Sequence, residues 1–207
     1  GGDLYDVRHL DDGRSVIMAG DVAGKGLGAA VLVSSIVPVA EVLLRGQGDL
    51  VSVVTALNRQ VWASTDPVRY ATLFMGALDR ASGRLDYVNA GHNHPFLLRA
   101  DGSVERLDRG GMILGVIPTS VPYDEGEIVF GQGDRLVLFT DGVSEAMSAT
   151  SEEYGEERLA DLLTRCVACD AQRIVERIHQ EVAEHARGTQ QSDDITLMVL
   201  RFVGADG

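Results

Sequence analysis

Apolar and polar positions change their period several times along the chain, and each change predicts an element. Leu4 to Leu10 suits a strand, and "DDGR" from Asp11 to Arg14 reads as a hairpin turn, because Asp-Gly tolerates the positive φ such turns need. "SVIMAG" follows as a buried strand ending at Asp21. After a glycine-rich loop, roughly Gly28 to Leu44 is apolar and helical, with Pro38 predicting a kink. "RGQGD" breaks that helix, and Asp49 is placed to cap a second one running through Trp62. In the middle of the chain the runs shorten. "YATLFMGALD", "RLDYVNA", "PFLLRA" and "VERL" are strands separated by "RASG", "GHNH" and "DGS", and "YDEGEIVF" and "DRLVLFTD" continue the series. "GEERLADLLTRC" and "AQRIVERIHQEVAEHAR" return to helical spacing, with Asp170 as N-cap of the second. "DDITLMVLRF" closes the chain as an apolar strand.

Strands, two helices, many strands, two helices and a last strand is a segregated order. It predicts an α+β fold rather than alternating α/β. Strands this apolar need cover on both faces. A four-layer α-β-β-α sandwich, with two central, mostly antiparallel sheets each covered by a helix pair, satisfies every apolar face. The chain shows no repeat and no interior linker, so residues 1–207 read as a single domain. It opens directly on a strand pattern, "GGDLYDV", which predicts that the natural protein extends upstream.

Composition narrows the function. The chain is 45% hydrophobic, ample for a core, yet no stretch approaches the ~20 apolar residues of a membrane span. Against 31 acidic residues stand 18 basic ones, a net charge of −13. That balance argues against nucleic acid and against an anionic membrane surface, both of which are bound through Lys and Arg. Cys166 and Cys169 form a lone "CVAC" behind a helical run. The pair lacks the strand-to-helix context of a redox motif and the further ligands of a zinc site, so it reads as packing. With no disulfide framework, the expected compartment is the cytoplasm.

Most of the acids are bland: Asp11, Asp12 and Asp101 belong to Asp-Gly or neighbouring turns, and many Glu lie on solvated helix faces. The acids at four strand ends differ. Asp21 ends "SVIMAGD", Asp141 ends "RLVLFTD", Asp193 and Asp194 introduce "ITLMVLRF", and Asp3 introduces the first strand. Each sits where an apolar strand meets a loop. Carboxylates gathered at the rim of a dry core either take up protons or are neutralised by cations. Ligation by oxygen alone favours hard ions such as Mg²⁺ or Mn²⁺.

"GDVAGKGLGAA" invites a rival reading as a phosphate-cradling loop. "GKGLGA" fits a loose dinucleotide fingerprint, but that motif leads back to a parallel strand ending in an acid about 20 residues on. Here a second helix follows instead, with Glu41 inside the first. A Walker A loop fails because Gly26, not Ser or Thr, follows Lys25.

"GGDLYD", "GDVAGKGLGAA", "YATLFMGALD", "LDYVNAGHNHP", "LVLFTDGVSEA", "YGEERL" and "QSDDITLMVLR" occur in order over nearly the whole chain. Together they resemble the metal-dependent protein phosphatases of the type 2C or PPM class. The branch matched is the bacterial one, around the stage II sporulation E phosphatase and the stress-response sigma-factor regulators. The resemblance implies a helix-flanked β-sandwich and a centre of two Mn²⁺ or Mg²⁺ ions. It implies that Asp21 bridges both ions, with the main-chain carbonyl of Val22 as a neighbouring ligand. Asp141 and Asp193 would hold the first ion, and Asp3 would support the site through waters. The implied substrate is phosphoserine or phosphothreonine on an anti-sigma-factor antagonist (a STAS-like protein), and an upstream sensory domain is implied as well. Two features depart from the eukaryotic members. Ala23 stands where they carry a general-acid His, and the sequence begins too late to show the phosphate-binding Arg that they carry upstream of the first motif. His92 and His94 of "GHNH" are the candidate substitutes for the acid. The remaining alternative is a catalytically inactive module that keeps the fold for binding.

Overall fold

Asp11–Arg14 turns the chain as its sequence demands: Gly13 takes φ +91°, and the Leu10 N–H donates to the Arg14 carbonyl at 2.8 Å. The hairpin joins Asp3–His9 (β1) to Arg14–Val22 (β2) in the computed structural model, which describes residues 2–24, 27–46, 48–64, 70–117, 122–191 and 193–204. Leu27–Arg45 (α1) and Leu50–Ser64 (α2) come next, then strands Ala71–Asp79 (β3), Arg84–Ala90 (β4), Phe96–Leu98 (β5), Val104–Arg106 (β6), Gly110–Gly111 (β7), Gly126–Val129 (β8) and Arg135–Phe139 (β9). Asp141–Ser144 (α3), Glu156–Thr164 (α4), Ala171–His185 (α5) and Leu197–Arg201 (β10) complete the chain. Asp49 and Asp170 cap their helices as expected: their carboxylates accept from the Ser52 and Arg173 N–H at 2.8 and 2.7 Å. The helix at α1 continues through Pro38.

The chain divides into two compact units, Gly1–His92 with Asp108–Val129, and Asn93–Leu107 with Phe130–Gly207. In the first, β1-β2-β3-β4 form an antiparallel sheet in that order. The outer edge of β4 is shared: β8 pairs antiparallel with its first half, and β7 pairs parallel with Asn89 and Ala90. Ala29, Leu32, Ile36, Ala40 and Leu44 make one buried stripe on α1, and Leu50, Val53, Leu57 and Val61 make another on α2. Both stripes pack with Val16, Met18, Leu73, Met75 and Val88, which share one sheet face. Ile17, Ala19, Phe74 and Tyr87 occupy the other face and are buried too. Because β2 pairs antiparallel with β3, the parallel crossover that a dinucleotide fold needs does not arise at the glycine loop.

In the second unit the sheet order is β10-β9-β5-β6, antiparallel throughout. Phe96, Leu98, Val137 and Phe139 pack with Leu159, Leu162 and Leu163 of α4 and Ile174, Ile178 and Val182 of α5. Cys166 is buried in this same cluster, and burial pushes its thiol up. The closing strand differs from expectation: β10 is an edge strand and only half-buried, so its apolar run is not covered on both faces. The fold is α+β, with two sheets that each carry a helix pair, as the order of elements predicts.

Candidate functional site

Antiparallel register fixes the first set of candidate residues. Asp3 pairs with Asp21 across β1 and β2, and Asp21 pairs with Thr72 across β2 and β3. Side chains opposite one another in register share a face, so Asp3, Asp21 and Thr72 form a row. Strand alternation puts that row on the sheet face away from α1 and α2, while Val22 turns its side chain into the helix-covered core. Asp3 and Asp21 are half-buried. Two carboxylates in this relation repel, and the arrangement favours a cation at their end of the sheet.

Glycine makes room there. A Cβ on Gly2 would collide with the Val22 carbonyl oxygen and come within 2.6 Å of Asp21 Oδ1. The missing side chain leaves the Val22 carbonyl and the Asp21 carboxylate side by side next to bare backbone. The Val22 N–H donates to the Gly2 carbonyl at 3.1 Å, and the Ala23 N–H to the Tyr70 carbonyl at 2.9 Å, so the strand end is held from both sides. Lys25 and Gly26 of the glycine loop lie outside the described residues.

The two histidines of "GHNH" separate. His92 belongs to the first unit and is buried; His94 belongs to the second and is half-buried. The His92 N–H donates to Asn89 Oδ1 at 2.7 Å, and Asn89 Nδ2 returns a bond to the His92 carbonyl at 3.0 Å. His92 Nδ1 lies 3.1 Å from Thr72 Oγ1, which in turn accepts from the Asp21 N–H at 3.0 Å.

The second set lies in the second unit. Asp141 is not the last residue of a strand, as its sequence context suggests. β9 ends at Phe139, Thr140 stands at the N-cap position, and Asp141 opens α3. The Thr140 N–H donates to the Thr196 carbonyl at 3.1 Å, and the Thr196 N–H to Thr140 Oγ1 at 3.0 Å. A Cβ on Gly142 would collide with the Asp194 carbonyl. These contacts bring the Asp141 turn and the Asp193–Asp194 turn side by side. Asp193 is exposed, and its Oδ1 accepts from the Asp194 N–H at 2.9 Å. Glu145 joins them: burial raises its pKa first, and the charges of Asp141, Glu153 and Asp193 raise it further. The signal for Glu145 is its spacing, one helical turn after Asp141.

Among the described residues no three His, Cys, Asp or Glu side chains form a ready-made metal cluster. The structure brings together Asp3, Asp21 and the Val22 carbonyl in one unit, and Asp141 and Asp193 in the other. Every donor is oxygen, the set that hard divalent cations prefer. Gly2, Thr72 and Asn89, which hold the first set in place, were not distinguishable in the sequence, because their roles depend on register and close approach.

Comparison with known proteins shows what the whole chain is similar to. The family model of stage II sporulation protein E matches residues 11–203. Protein IcfG of Synechocystis is 33% identical over 226 residues, covering 96% of this chain and 35% of its own length. Phosphoserine phosphatase RsbU of Bacillus subtilis is 30% identical over 203 residues, covering 97% of this chain and 59% of its own length. The chain thus spans between a third and three-fifths of these relatives. The crystal structure of the RsbU and RsbW domains of Rv1364c from Mycobacterium tuberculosis superposes with a TM-score of 0.79 at 27% identity, over 99% of this chain and 57% of that one.

Proposed function

Since the chain belongs to the stage II sporulation protein E family of metal-dependent phosphatases, we propose that it hydrolyses phosphoserine or phosphothreonine on a regulatory protein, an anti-sigma-factor antagonist of STAS-like type. The similarity to RsbU, a phosphoserine phosphatase, and to a chain joining RsbU and RsbW domains supports this substrate class. Residues 1–207 act as one phosphatase domain of a longer cytoplasmic protein in this reading.

The observation that carries the proposal is the Asp3–Asp21 pair beside the Val22 carbonyl that Gly2 leaves open. In the first unit Asp21 and the Val22 carbonyl would hold Mn²⁺ or Mg²⁺, and in the second Asp141 and Asp193 are the candidate ligands. Asp3 would support the first set. When bound, such ions lower the pKa of a shared water towards ~7 and clamp the phosphoryl group for in-line attack. The chain's own part is to hold the oxygen donors of each unit at fixed backbone positions. No Ser-His-Asp or Cys-His set is invoked, and Cys166 is buried in the core with its thiol pushed up, which suits packing rather than nucleophilic attack.

The test is release of phosphate from phosphoserine peptides and from p-nitrophenyl phosphate, with Mn²⁺ and after chelation. Mn²⁺-dependent release is expected. Silence on small and protein phosphates alike, with Mn²⁺ bound, would favour the inactive binding module.

A further inference from the structure

We propose that His92 is a positioning residue for the metal-binding end of β2, acting through the hydroxyl of Thr72. The inference rests on the phosphatase reading above and adds a part that neither the relatives' names nor the carboxylate set supplies.

The linkage begins at the end of β4. Gly91 takes φ +71°, a conformation that favours glycine, and a Cβ there would collide with the side chain of Ile113. That tight turn lets the Asn89 side chain bond both the N–H and the carbonyl of His92, at 2.7 and 3.0 Å. The His92 backbone is thereby fixed, and the ring is buried at 4% exposure. Nδ1 meets Thr72 Oγ1 at 3.1 Å.

A threonine hydroxyl has one proton to donate and two lone pairs. One lone pair takes the Asp21 N–H at 3.0 Å, and the remaining sites meet His92 Nδ1 at 3.1 Å and the Asp21 carbonyl at 3.4 Å. The His92 ring, fixed by its backbone bonds, thereby holds the hydroxyl rotor so that a lone pair faces Asp21. The residue so fixed is the proposed metal ligand, and Val22, whose carbonyl is the next ligand, follows it directly. "NAGH" is in this account a bracket that sets the strand end, and His92 does not touch the reacting phosphate. Outer partners of this kind typically change metal affinity by about 10–100-fold when removed.

The experiment measures Mn²⁺ affinity by calorimetry, without turnover, on Thr72→Val, Thr72→Ser, His92→Leu and His92→Asn. Thr72→Val and His92→Leu are expected to weaken Mn²⁺ about ten-fold or more. Thr72→Ser keeps the hydroxyl, and His92→Asn can place an amide oxygen where Nδ1 stood, so both should stay within about three-fold of wild type. Folded Thr72→Val and His92→Leu proteins that bind Mn²⁺ as wild type does would overturn the proposal. Wild-type protein that binds no Mn²⁺ would instead remove the phosphatase reading, and this assignment with it.

Discussion

Asp3 and Asp21 stand directly opposite each other on β1 and β2, two carboxylates on one face at the end of a sheet. Like charges so placed cost roughly 0.2–1 kcal/mol. Asp3→Asn should therefore raise the melting temperature of the metal-free protein, on the order of 1–3 °C for a chain this size. The same change should shrink the rise in melting temperature that Mn²⁺ produces. Thermal melts of both proteins, with Mn²⁺ and with chelator, check the pair of effects. Equal melting without metal would show that the two charges do not oppose each other.

Gly142 lets the Asp194 carbonyl approach the start of α3, where a Cβ would collide with it. The obstacle is backbone on both sides, so neither can give way cheaply. Gly142→Ala should cost about 1–3 kcal/mol and move the turn that carries Asp193. A thermal or denaturant melt reads the first effect, and a weaker Mn²⁺ isotherm the second. Wild-type values in both would mean that the two turns are not held together.

Asp134 is an acid of another kind. It is buried at 3% exposure, and its oxygens accept from Arg99 Nη1 and the Gly131 and Ala100 N–H at 2.8–2.9 Å. Asp134→Ala leaves two backbone donors without their acceptor and takes one of two carboxylates from Arg99, which keeps Glu105, and should cost about 2–3 kcal/mol. Asp101→Ala, in an exposed turn, should cost about 1 kcal/mol or less. Urea unfolding of the two variants separates them; similar midpoints would contradict the sorting of structural from solvated acids.

The elements that were legible in the sequence are those whose cause is local. The Asp11–Arg14 turn needs only Gly13, the stripe from Ala29 to Leu44 needs only helical spacing, and Asp49 and Asp170 cap within three residues. What escaped depends on distant partners. Thr72 is 51 residues from Asp21, and only strand register makes it a neighbour. β7 is two glycines without side chains to show a pattern, paired because their backbone lies close to Asn89. α3 is four residues long, too short for a period, which is why Asp141 read as a strand end. "GQGDR" has the look of a solvated turn, yet Asp134 within it is enclosed. The carboxylates at strand ends were visible from sequence, whereas the backbone and hydroxyl contacts that fix them were not.

Tyr123 offers a test by pH. Its ring is buried, its hydroxyl has no hydrogen-bond partner among the described residues, and burial pushes its pKa up to about 12. A raised folded pKa gives stability that is present below the unfolded value near 10 and lost as pH rises through about 12. Tyr123→Phe removes a buried unpaired hydroxyl, so it should be neutral or slightly stabilising at pH 7. It should also lose stability less steeply than wild type between about pH 10 and 12. Urea midpoints across that range decide it, and parallel curves for the two proteins would contradict the burial of this hydroxyl.

If Asp21 binds metal for hydrolysis rather than capping a strand end, its amide variant keeps the fold and loses the activity. The direct measurement is Mn²⁺-dependent phosphate release by Asp21→Asn beside wild type, with circular dichroism to confirm the fold. A folded variant is expected whose turnover falls by more than the roughly 10–100-fold typical of losing a residue that only supports a ligand. A folded Asp21→Asn protein that hydrolyses phosphoserine peptides at the wild-type rate with Mn²⁺ would contradict it.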